Sequence, residues 1–168
     1  MKQILFVDCC IRRELSRTKK LADAALAALG TRDDIAVTEL CLMDEPLQYF
    51  SEGFFAQRER LLAAKELDHP RFRYAHQFAE ADAIVIAAPF WDLAFPALLK
   101  VYIENVSVEG ITFGCNASGC FGICRAERML FLTTRGGSYD GAPDEMGARY
   151  LEALCGFFGI PRFDCVAA

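Results

Sequence analysis

Residues 83–106 read AIVIAAPFWDLAFPALLKVYIENV and change character twice. The first six residues are a continuous apolar run, which indicates a strand buried on both faces. Residues 95–106 have helical spacing, and Pro96 is acceptable in the first turn of a helix. A strand that passes directly into a helix is the repeating unit of a parallel sheet. Between the two, residues 90–92 (Phe-Trp-Asp) make the connection unusually bulky and polar.

The same alternation of strand and helix runs through the whole chain. Apolar runs predict five strands, at residues 4–7, 35–40, 83–88, 128–134 and 162–167. Amphipathic spacing predicts five helices, at residues 16–29, 54–65, 71–80, 95–106 and 144–158. The sequence therefore predicts an α/β fold, a five-stranded parallel sheet with helices on both faces, in a single domain over residues 1–168.

Charge and hydropathy limit the classes of function. The chain has 168 residues, 24% of them charged, and a net charge of −5. This balance argues against a general nucleic-acid surface. No apolar run approaches the roughly 20 residues of a membrane span, and the N-terminal run is too short for a signal peptide. We expect a cytoplasmic protein with no membrane or nucleic-acid partner. In a reducing compartment its eight cysteines are expected to be free thiols, small core residues or metal ligands rather than disulfides.

Three of the cysteines, Cys115, Cys120 and Cys124, form a C-x4-C-x3-C run in a glycine-rich segment. Such a run could supply three ligands to a metal or an iron–sulfur cluster. The tight pairs typical of zinc sites are absent, however, and His69 and His76 lie far away in the sequence. We therefore expect no metal, and a loop with incidental thiols.

Parallel sheets bind ligands beyond the carboxyl ends of their strands, where the strand order reverses. The loops to inspect are therefore DCCIRRELSRT (8–18), PFWDLAF (89–95) and TTRGGSYDG (133–141). The first combines a helix start with hydroxyl side chains and arginines, which favours phosphate. It has neither a nucleotide P-loop nor a dinucleotide fingerprint. Its alternative interpretation is a capped surface helix with solvated arginines.

The second and third loops carry aromatic and glycine residues. Phe90 and Trp91 either cover a flat ring or plug the end of the core. Gly136 and Gly137 either let a ligand approach the backbone closely or form an ordinary turn, and Tyr139 could stack or hydrogen-bond. Taken together, the three loops indicate an aromatic heterocycle with a phosphate tail, a shape that flavin mononucleotide (FMN) fits.

At these residues the chain resembles the flavodoxin-like NAD(P)H:quinone oxidoreductases and FMN-dependent azoreductases. The resemblance is carried by PFWDLAFPALLKVYIENVSVEGITF (89–113), by LTTRGGSY (132–139) and by CCIRRELSRTKKLAD (9–23). It implies a flavodoxin-like fold and a ping-pong reaction. NAD(P)H reduces bound FMN, and quinones, azo or nitro compounds or similar flat acceptors take the electrons. It also implies a homodimer in which the partner chain completes each flavin site.

The resemblance also implies which residues contact the cofactor and substrate. The cofactor residues are Cys10, Ser16, Arg17 and Thr18 beside the phosphate, Pro89, Phe90, Trp91, Asp92 and Leu93 along the ring, and Thr134, Arg135, Gly136, Gly137 and Tyr139 at its polar edge. Phe113 is implied to face the substrate pocket. Because the flavin performs the chemistry, we expect no side-chain catalytic set, with Asp92 and Tyr139 as the candidates for tuning the flavin.

The chain departs from the family pattern at three places. Asp92 stands where Asn is usual, and as a carboxylate it is expected to lower the flavin potential. Cys9 and Cys10 stand where serines are usual. Each is either a small buried residue or a thiol whose pKa the nearby arginines lower. The chain also ends directly after the last strand, where the family usually continues into another helix. A naturally compact protein or a shortened chain would explain this, and an exposed sheet face is a second reason to expect a dimer.

Two other functions remain open from the sequence. The first is an electron-carrier flavoprotein of flavodoxin or iron–sulfur type, which would not turn over NAD(P)H directly. The second is a non-enzymatic domain that keeps the fold but has lost the flavin.

Overall fold

The computed structural model describes residues 1–139 and 141–168; Asp140, in the third loop, lies outside the described residues. The strands are β1 (Lys2–Asp8), β2 (Ile35–Cys41), β3 (Ala83–Ala87), β4 (Phe113–Asn116), β5 (Gly119–Gly122), β6 (Met129–Thr133) and β7 (Phe163–Ala167). The α-helices are α1 (Arg17–Leu29), α2 (Glu52–Ala63), α3 (Arg73–Glu80), α4 (Ala97–Val106) and α5 (Met146–Phe158).

Five strands form one parallel sheet in the order β2-β1-β3-β6-β7. The chain leaves β1 for β2 on one side and then returns to the other side with β3. The strand order therefore reverses between β1 and β3, and a crevice opens beyond their carboxyl ends. The predicted α/β fold with a five-stranded parallel sheet is confirmed.

Helices cover both faces of this sheet, as predicted, because side chains of successive strand residues point in opposite directions. On one face, Ile4, Phe6 and Val85 pack with Ala22 of α1. On the other face, alternate residues of the same strands pack with α3, α4 and α5; these buried residues include Leu5, Val7, Ile84, Ile86, Phe78, Leu99, Tyr102, Leu151 and Phe158. The edge strand β7 differs, because four of its five residues are exposed.

Strands β4 and β5 form an antiparallel hairpin outside the main sheet. The sequence analysis did not predict it, because each strand has only four residues and three of the eight are glycines. None of the described helices is both long and apolar enough to cross a lipid bilayer.

Candidate functional site

The three loops after β1, β3 and β6 meet around one groove of about 120 Å³. Its lining combines hydroxyl, cationic, aromatic and glycine residues: Arg12, Ser16, Arg17, Thr18, Pro89, Phe90, Trp91, Thr134 and Gly136. Eight of these nine were cofactor candidates in the sequence analysis. Arg12 was noted there only as part of the basic first loop. The groove lies at the carboxyl edge of the sheet, as the fold requires.

Two hydrogen bonds join the loops to one another. The hydroxyl oxygens of Thr18 and Thr134 lie 2.7 Å apart, which links the start of α1 to the loop after β6. The backbone N–H of Phe90 donates to the carbonyl oxygen of Thr134 at 3.1 Å, which links the second and third loops. The groove walls are therefore held in a fixed relation before any ligand binds.

The first loop presents a helix start to the groove. Ser16 is the N-cap of α1, and its hydroxyl oxygen accepts a hydrogen bond from the Lys19 N–H at 3.3 Å. The hydroxyl hydrogen of Ser16 can then be donated to an anion. The first N–H groups of a helix have no partner within the helix, and its dipole favours negative charge there. Arg12 and Arg17, both exposed, add positive charge at the groove.

Arg13, the third arginine of this loop, forms an ion pair outside the groove. Its guanidinium forms an ion pair with Asp44, with Nη2 and Oδ1 2.6 Å apart. This hydrogen bond and charge hold the pKa of Asp44 at about 2. Arg13 is not among the groove-lining residues.

The two cysteines that precede this loop are buried beneath it. Burial, followed by the charge of Asp8, raises the pKa of the Cys9 thiol to about 12. Burial and hydrogen bonding to Asp8 also raise the pKa of Cys10, whose sulfur lies 3.8 Å from the Ala87 carbonyl oxygen and also bonds Ser16. The alternative in which arginines lower a thiol pKa here is therefore wrong. Cys10 lies behind Ser16, and its contact with a cofactor stays a prediction.

The second loop is a tight turn with a strained backbone. Asp92 and Leu93 have φ values of +50° and +67°, and Trp91 and Ala94 exchange backbone hydrogen bonds around them, 2.8 Å for the shorter one. Two successive left-handed residues define a type I′ turn, which usually contains Asn-Gly. Leucine at such a position has a conformational cost, and strain of this kind is retained mainly at functional sites.

The first turn of α5 holds this strained turn in place. The N–H of Met146 donates to the Leu93 carbonyl oxygen at 2.9 Å. A Cβ atom on the next residue, Gly147, would lie 3.2 Å from the Ala94 carbonyl oxygen, so glycine allows the helix to approach. The side chains of Trp91, Asp92 and Leu93 are exposed on this fixed turn, and of the three Trp91 lines the groove.

The third loop is supported by aromatic and ionic contacts. The rings of Phe90 and Tyr139 have centroids 4.6 Å apart, and the Arg135 guanidinium lies 5.8 Å from the Phe90 centroid. The Arg135 side chain also pairs with Glu145, with Nη2 and Oε1 3.3 Å apart, and both side chains are only 7% exposed. Glu145 was missed by the sequence analysis. A carboxylate just before a helix was the available signal, since the Glu145 carboxylate also accepts from the Ala148 N–H.

The glycines of the third loop face open space. A Cβ atom on Gly136 would meet no atom within 4 Å, and one on Gly137 would meet only the Tyr139 ring, at 3.8 Å. Neither residue has a left-handed backbone. Among the described residues, neither packing nor backbone conformation therefore requires glycine at positions 136 and 137, whereas close approach of a ligand to the backbone would.

A larger cavity of about 780 Å³ lies on the other side of the third loop. It is lined mainly by that loop, the first turns of α5 and the exposed strand β7, and includes Arg135, Tyr139, Glu145 and Val166. It lacks the start of α1 and the aromatic turn after β3. The smaller groove is the better candidate site because only there do all three loops meet.

Some predicted residues lie away from the groove. Phe113 begins the β4–β5 hairpin and packs against Phe157 of α5, with ring centroids 4.7 Å apart. Cys115 and Cys120 form a disulfide across the hairpin, so the expectation of free thiols is wrong for this pair. As a disulfide, the two sulfurs are not thiolate ligands. No group of three His, Cys, Asp or Glu side chains within residues 1–139 and 141–168 is arranged to hold a metal ion.

Comparison with known proteins assigns the family. Residues 2–168 match the family described as having a flavodoxin-like fold. The chain belongs to this flavodoxin-like family. It is 36% identical to an FMN-dependent NADH:quinone oxidoreductase of Clostridium perfringens, over 99% of this chain and 85% of the relative. A second relative, the FMN-dependent NADH:quinone oxidoreductase 2 of Clostridium acetobutylicum, is also 36% identical, over 100% of this chain and 86% of its own length.

A solved structure extends the comparison. The crystal structure of an azoreductase from Bacillus anthracis str. Sterne superposes with a TM-score of 0.87 at 29% identity, covering 99% of this chain and 86% of that one. The family resemblance identified from the sequence is confirmed.

Proposed function

We propose that this protein is an FMN-dependent NADH oxidoreductase that passes electrons to quinones, azo compounds or similar flat acceptors. The observation that carries the proposal is the single groove in which a helix start, two arginines, an aromatic turn and an open glycine loop converge. The names of the C. perfringens, C. acetobutylicum and B. anthracis proteins support the same activity, and favour an enzyme over an electron carrier.

The residues of the first loop fit a phosphate group. Ser16 and Thr18 offer hydroxyl donors, and the start of α1 offers backbone N–H groups. Arg12 and Arg17 supply charge-assisted contacts from the solvent side. Cys10 supports Ser16 from behind. The hydrogen bond between the Thr18 and Thr134 hydroxyls couples this phosphate end to the loop that receives the ring.

The other two loops fit a flat heterocycle. Pro89 to Leu93 form one wall, stiffened by the type I′ turn, and their aromatic surface excludes water from one ring face. On the opposite side, the open space at Gly136 and Gly137 lets the backbone of residues 134–137 meet the polar ring edge. Arg135 and Tyr139 brace this loop against Phe90.

The division of work follows from this arrangement. When bound, FMN supplies the hydride and electron chemistry. The side chains of this chain bind and orient it, shield one face and leave the other open for NADH and then for the acceptor. Asp92, at the rim, places a carboxylate where added negative charge would be disfavoured. Tyr139 keeps Phe90 in position.

We further propose that the protein works in the cytoplasm as a homodimer. An exposed β7 and a hairpin that holds Phe113 away from the groove of its own chain support a site completed by a second copy. In such a dimer Phe113 would line the acceptor pocket of the partner.

An anaerobic absorption experiment tests the proposed activity. The purified protein is incubated with FMN, desalted and mixed with NADH. We expect the absorption bands of FMN to remain after desalting and to bleach rapidly when NADH is mixed in. The bands should return when a quinone is added. Retained flavin that NADH leaves oxidised would support the electron carrier instead. Loss of the flavin on desalting would contradict the assignment of the groove.

A further inference from the structure

The β4–β5 hairpin carries a feature that the oxidoreductase activity does not use. Cys115 and Cys120 face each other in the strand register and are joined by a disulfide. Both residues are exposed. We propose that this pair is a reversible thiol–disulfide exchange site whose reaction partners are low-molecular-weight thiols and their disulfides.

The exposure of this pair contrasts with that of four other cysteines, whereas Cys41 is half-buried and Cys165, on β7, is also exposed. Cys9, Cys10 and Cys155 are buried, and Cys124 is half-buried. Burial raises the pKa of Cys9, Cys124 and Cys155 to about 12. A protonated thiol enclosed by apolar side chains is a poor nucleophile. Oxidants and small thiols in solution therefore reach the hairpin pair in preference to these four.

The disulfide closes a loop with a sequence separation of only five residues. Stabilisation of a fold by a cross-link grows with the length of the closed loop, so a bond this local contributes little to holding the domain together. Disulfides in reducing compartments are usually transient, catalytic or redox-sensing. The position of this bond fits such a role better than a structural one.

The base of the hairpin is anchored without the disulfide. Phe113 packs on Phe157, and the Ile123 N–H donates to the Thr112 carbonyl oxygen at 3.1 Å. At Gly122 the backbone lies directly against that of Phe158 and Gly159. The outer residues 115–120 have no such support, and an isolated two-stranded ribbon is marginal in water. Reduction should therefore loosen the tip of the hairpin and leave its base in place.

The exchange itself needs only two molecules of thiol. A thiolate attacks one sulfur of the pair, the S–S bond breaks, and the other cysteine leaves as a thiolate and is protonated. A second thiolate then attacks the sulfur of the bound small molecule, releases the second cysteine and leaves as the small-molecule disulfide. The protein disulfide gains two electrons and two protons, which two thiols lose. The reverse reaction restores the bond.

Equilibration with glutathione tests the proposal. The folded protein is held anaerobically in buffers of different reduced-to-oxidised glutathione ratio, quenched in acid, alkylated after unfolding and mapped by mass spectrometry. We expect the cross-linked fraction of the 115–120 peptide to fall from nearly complete to nearly absent across the series, while Cys9, Cys10 and Cys155 stay reduced. A bond that persists at every ratio, or never forms, would overturn the proposal.

Hydrogen exchange on the two end states reports the structural consequence. Amides of residues 115–120 should exchange about tenfold faster or more after reduction, since they open locally. Amides of residues 122–124 should keep their rates. Equal rates at the tip in both states would show that the bond does not control the hairpin, and faster exchange throughout the domain would show that it is structural.

Single substitutions separate this pair from other cysteines. With Cys120→Ser, oxidised glutathione should leave a lasting adduct on Cys115, whereas the natural protein resolves the adduct into its disulfide. The matched control Cys124→Ser should behave like the natural protein. The proposal would be contradicted if Cys120→Ser formed no glutathione adduct. It would also be contradicted if Cys124→Ser no longer formed and broke the disulfide between Cys115 and Cys120.

Discussion

Glycines serve opposite purposes in the groove and in the β4–β5 hairpin. In the hairpin, a Cβ atom on Gly122 would overlap the backbone of Phe158 and Gly159, and one on Gly114 would lie 2.9 Å from the Phe121 ring. In the groove, a Cβ atom on Gly136 would meet nothing within 4 Å. Packing within the protein requires glycine at Gly122, whereas at Gly136 we infer that the requirement comes from a ligand. Substitutions in the two regions should therefore fail in different assays.

The largest effect is expected at the hairpin base. Gly122→Ala places a methyl group into backbone that cannot move aside, and should lower the free energy of unfolding by about 3 kcal/mol. Urea unfolding measures this loss. The matched control is Gly156→Ala, at a helical position with no atom within 4 Å, which should raise stability by about 0.5–1 kcal/mol. Equal unfolding free energies for the two variants would show that close packing does not require glycine at position 122.

The next effect concerns the buried ion pair beneath the third loop. Glu145→Gln keeps the size of the side chain and its ability to accept the Ala148 N–H, but removes the charge opposite Arg135. Removing the carboxylate that Glu145 places beside this buried cation should lower the free energy of unfolding by about 2 kcal/mol.

Because Arg135 braces the loop that we propose receives the ring, FMN affinity should also fall in Glu145→Gln, by about tenfold. Fluorescence titration of FMN measures this change. The exposed α5 residue Glu152, changed to Gln, is the matched control and should alter neither quantity. If Glu145→Gln lowers the stability but leaves FMN affinity unchanged, the ion pair has a structural role only.

Substitution of the groove residue Gly136 should affect FMN binding rather than stability, the opposite of Gly122→Ala. Gly136→Ala fills space that we assign to the cofactor, so FMN affinity should fall about tenfold, equivalent to about 1.4 kcal/mol. The unfolding free energy of the cofactor-free protein should change by less than about 1 kcal/mol. Isothermal titration with FMN and urea unfolding give the two values. Gly53→Ala, also with open space at its Cβ position but within helix α2, should leave FMN affinity unchanged and raise the unfolding free energy by up to about 1 kcal/mol. Destabilisation of Gly136→Ala without loss of FMN affinity would contradict the prediction.

The smallest effect is electrostatic. Asp92→Asn keeps a residue type that tolerates the left-handed backbone and removes one negative charge at the groove rim. The midpoint potential of bound FMN should rise by about 10–30 mV, a modest amount because the carboxylate is exposed and screened. Spectroelectrochemistry measures the potential, and Glu152→Gln again serves as the control. An unchanged potential in Asp92→Asn would remove this residue from the tuning of the cofactor.

Much of this architecture could be predicted from the sequence. The apolar runs of β1, β3 and β6 indicate the three central strands, because strands buried on both faces are nearly uniformly apolar. The edge strands β2 and β7 are less apolar and follow from the alternation of strand and helix. The three loops were predicted to share one edge because parallel strands end together, and Ser16, Phe90 and Thr134 do meet there. The periodic spacing of apolar residues indicates these strands and helices, and this signal is strongest in long elements.

The remainder depended on contacts between distant residues. The Arg135–Glu145 pair joins two loops through side-chain geometry, which no local pattern encodes. The left-handed Leu93 contradicts its own preference and is held by Met146. The hairpin was too short and too rich in glycine to show alternation, so the pairing of Cys115 with Cys120 was missed.

The single tryptophan of the chain offers the most direct test of the groove as the FMN site. Trp91 lines the groove, so its fluorescence reports on that place alone. We expect FMN to quench most of the Trp91 emission with saturation at one FMN per chain, and riboflavin, which lacks the phosphate, to require an about 100-fold higher concentration. Equal concentrations for the two flavins, or retained FMN that leaves Trp91 emission unchanged, would contradict the account.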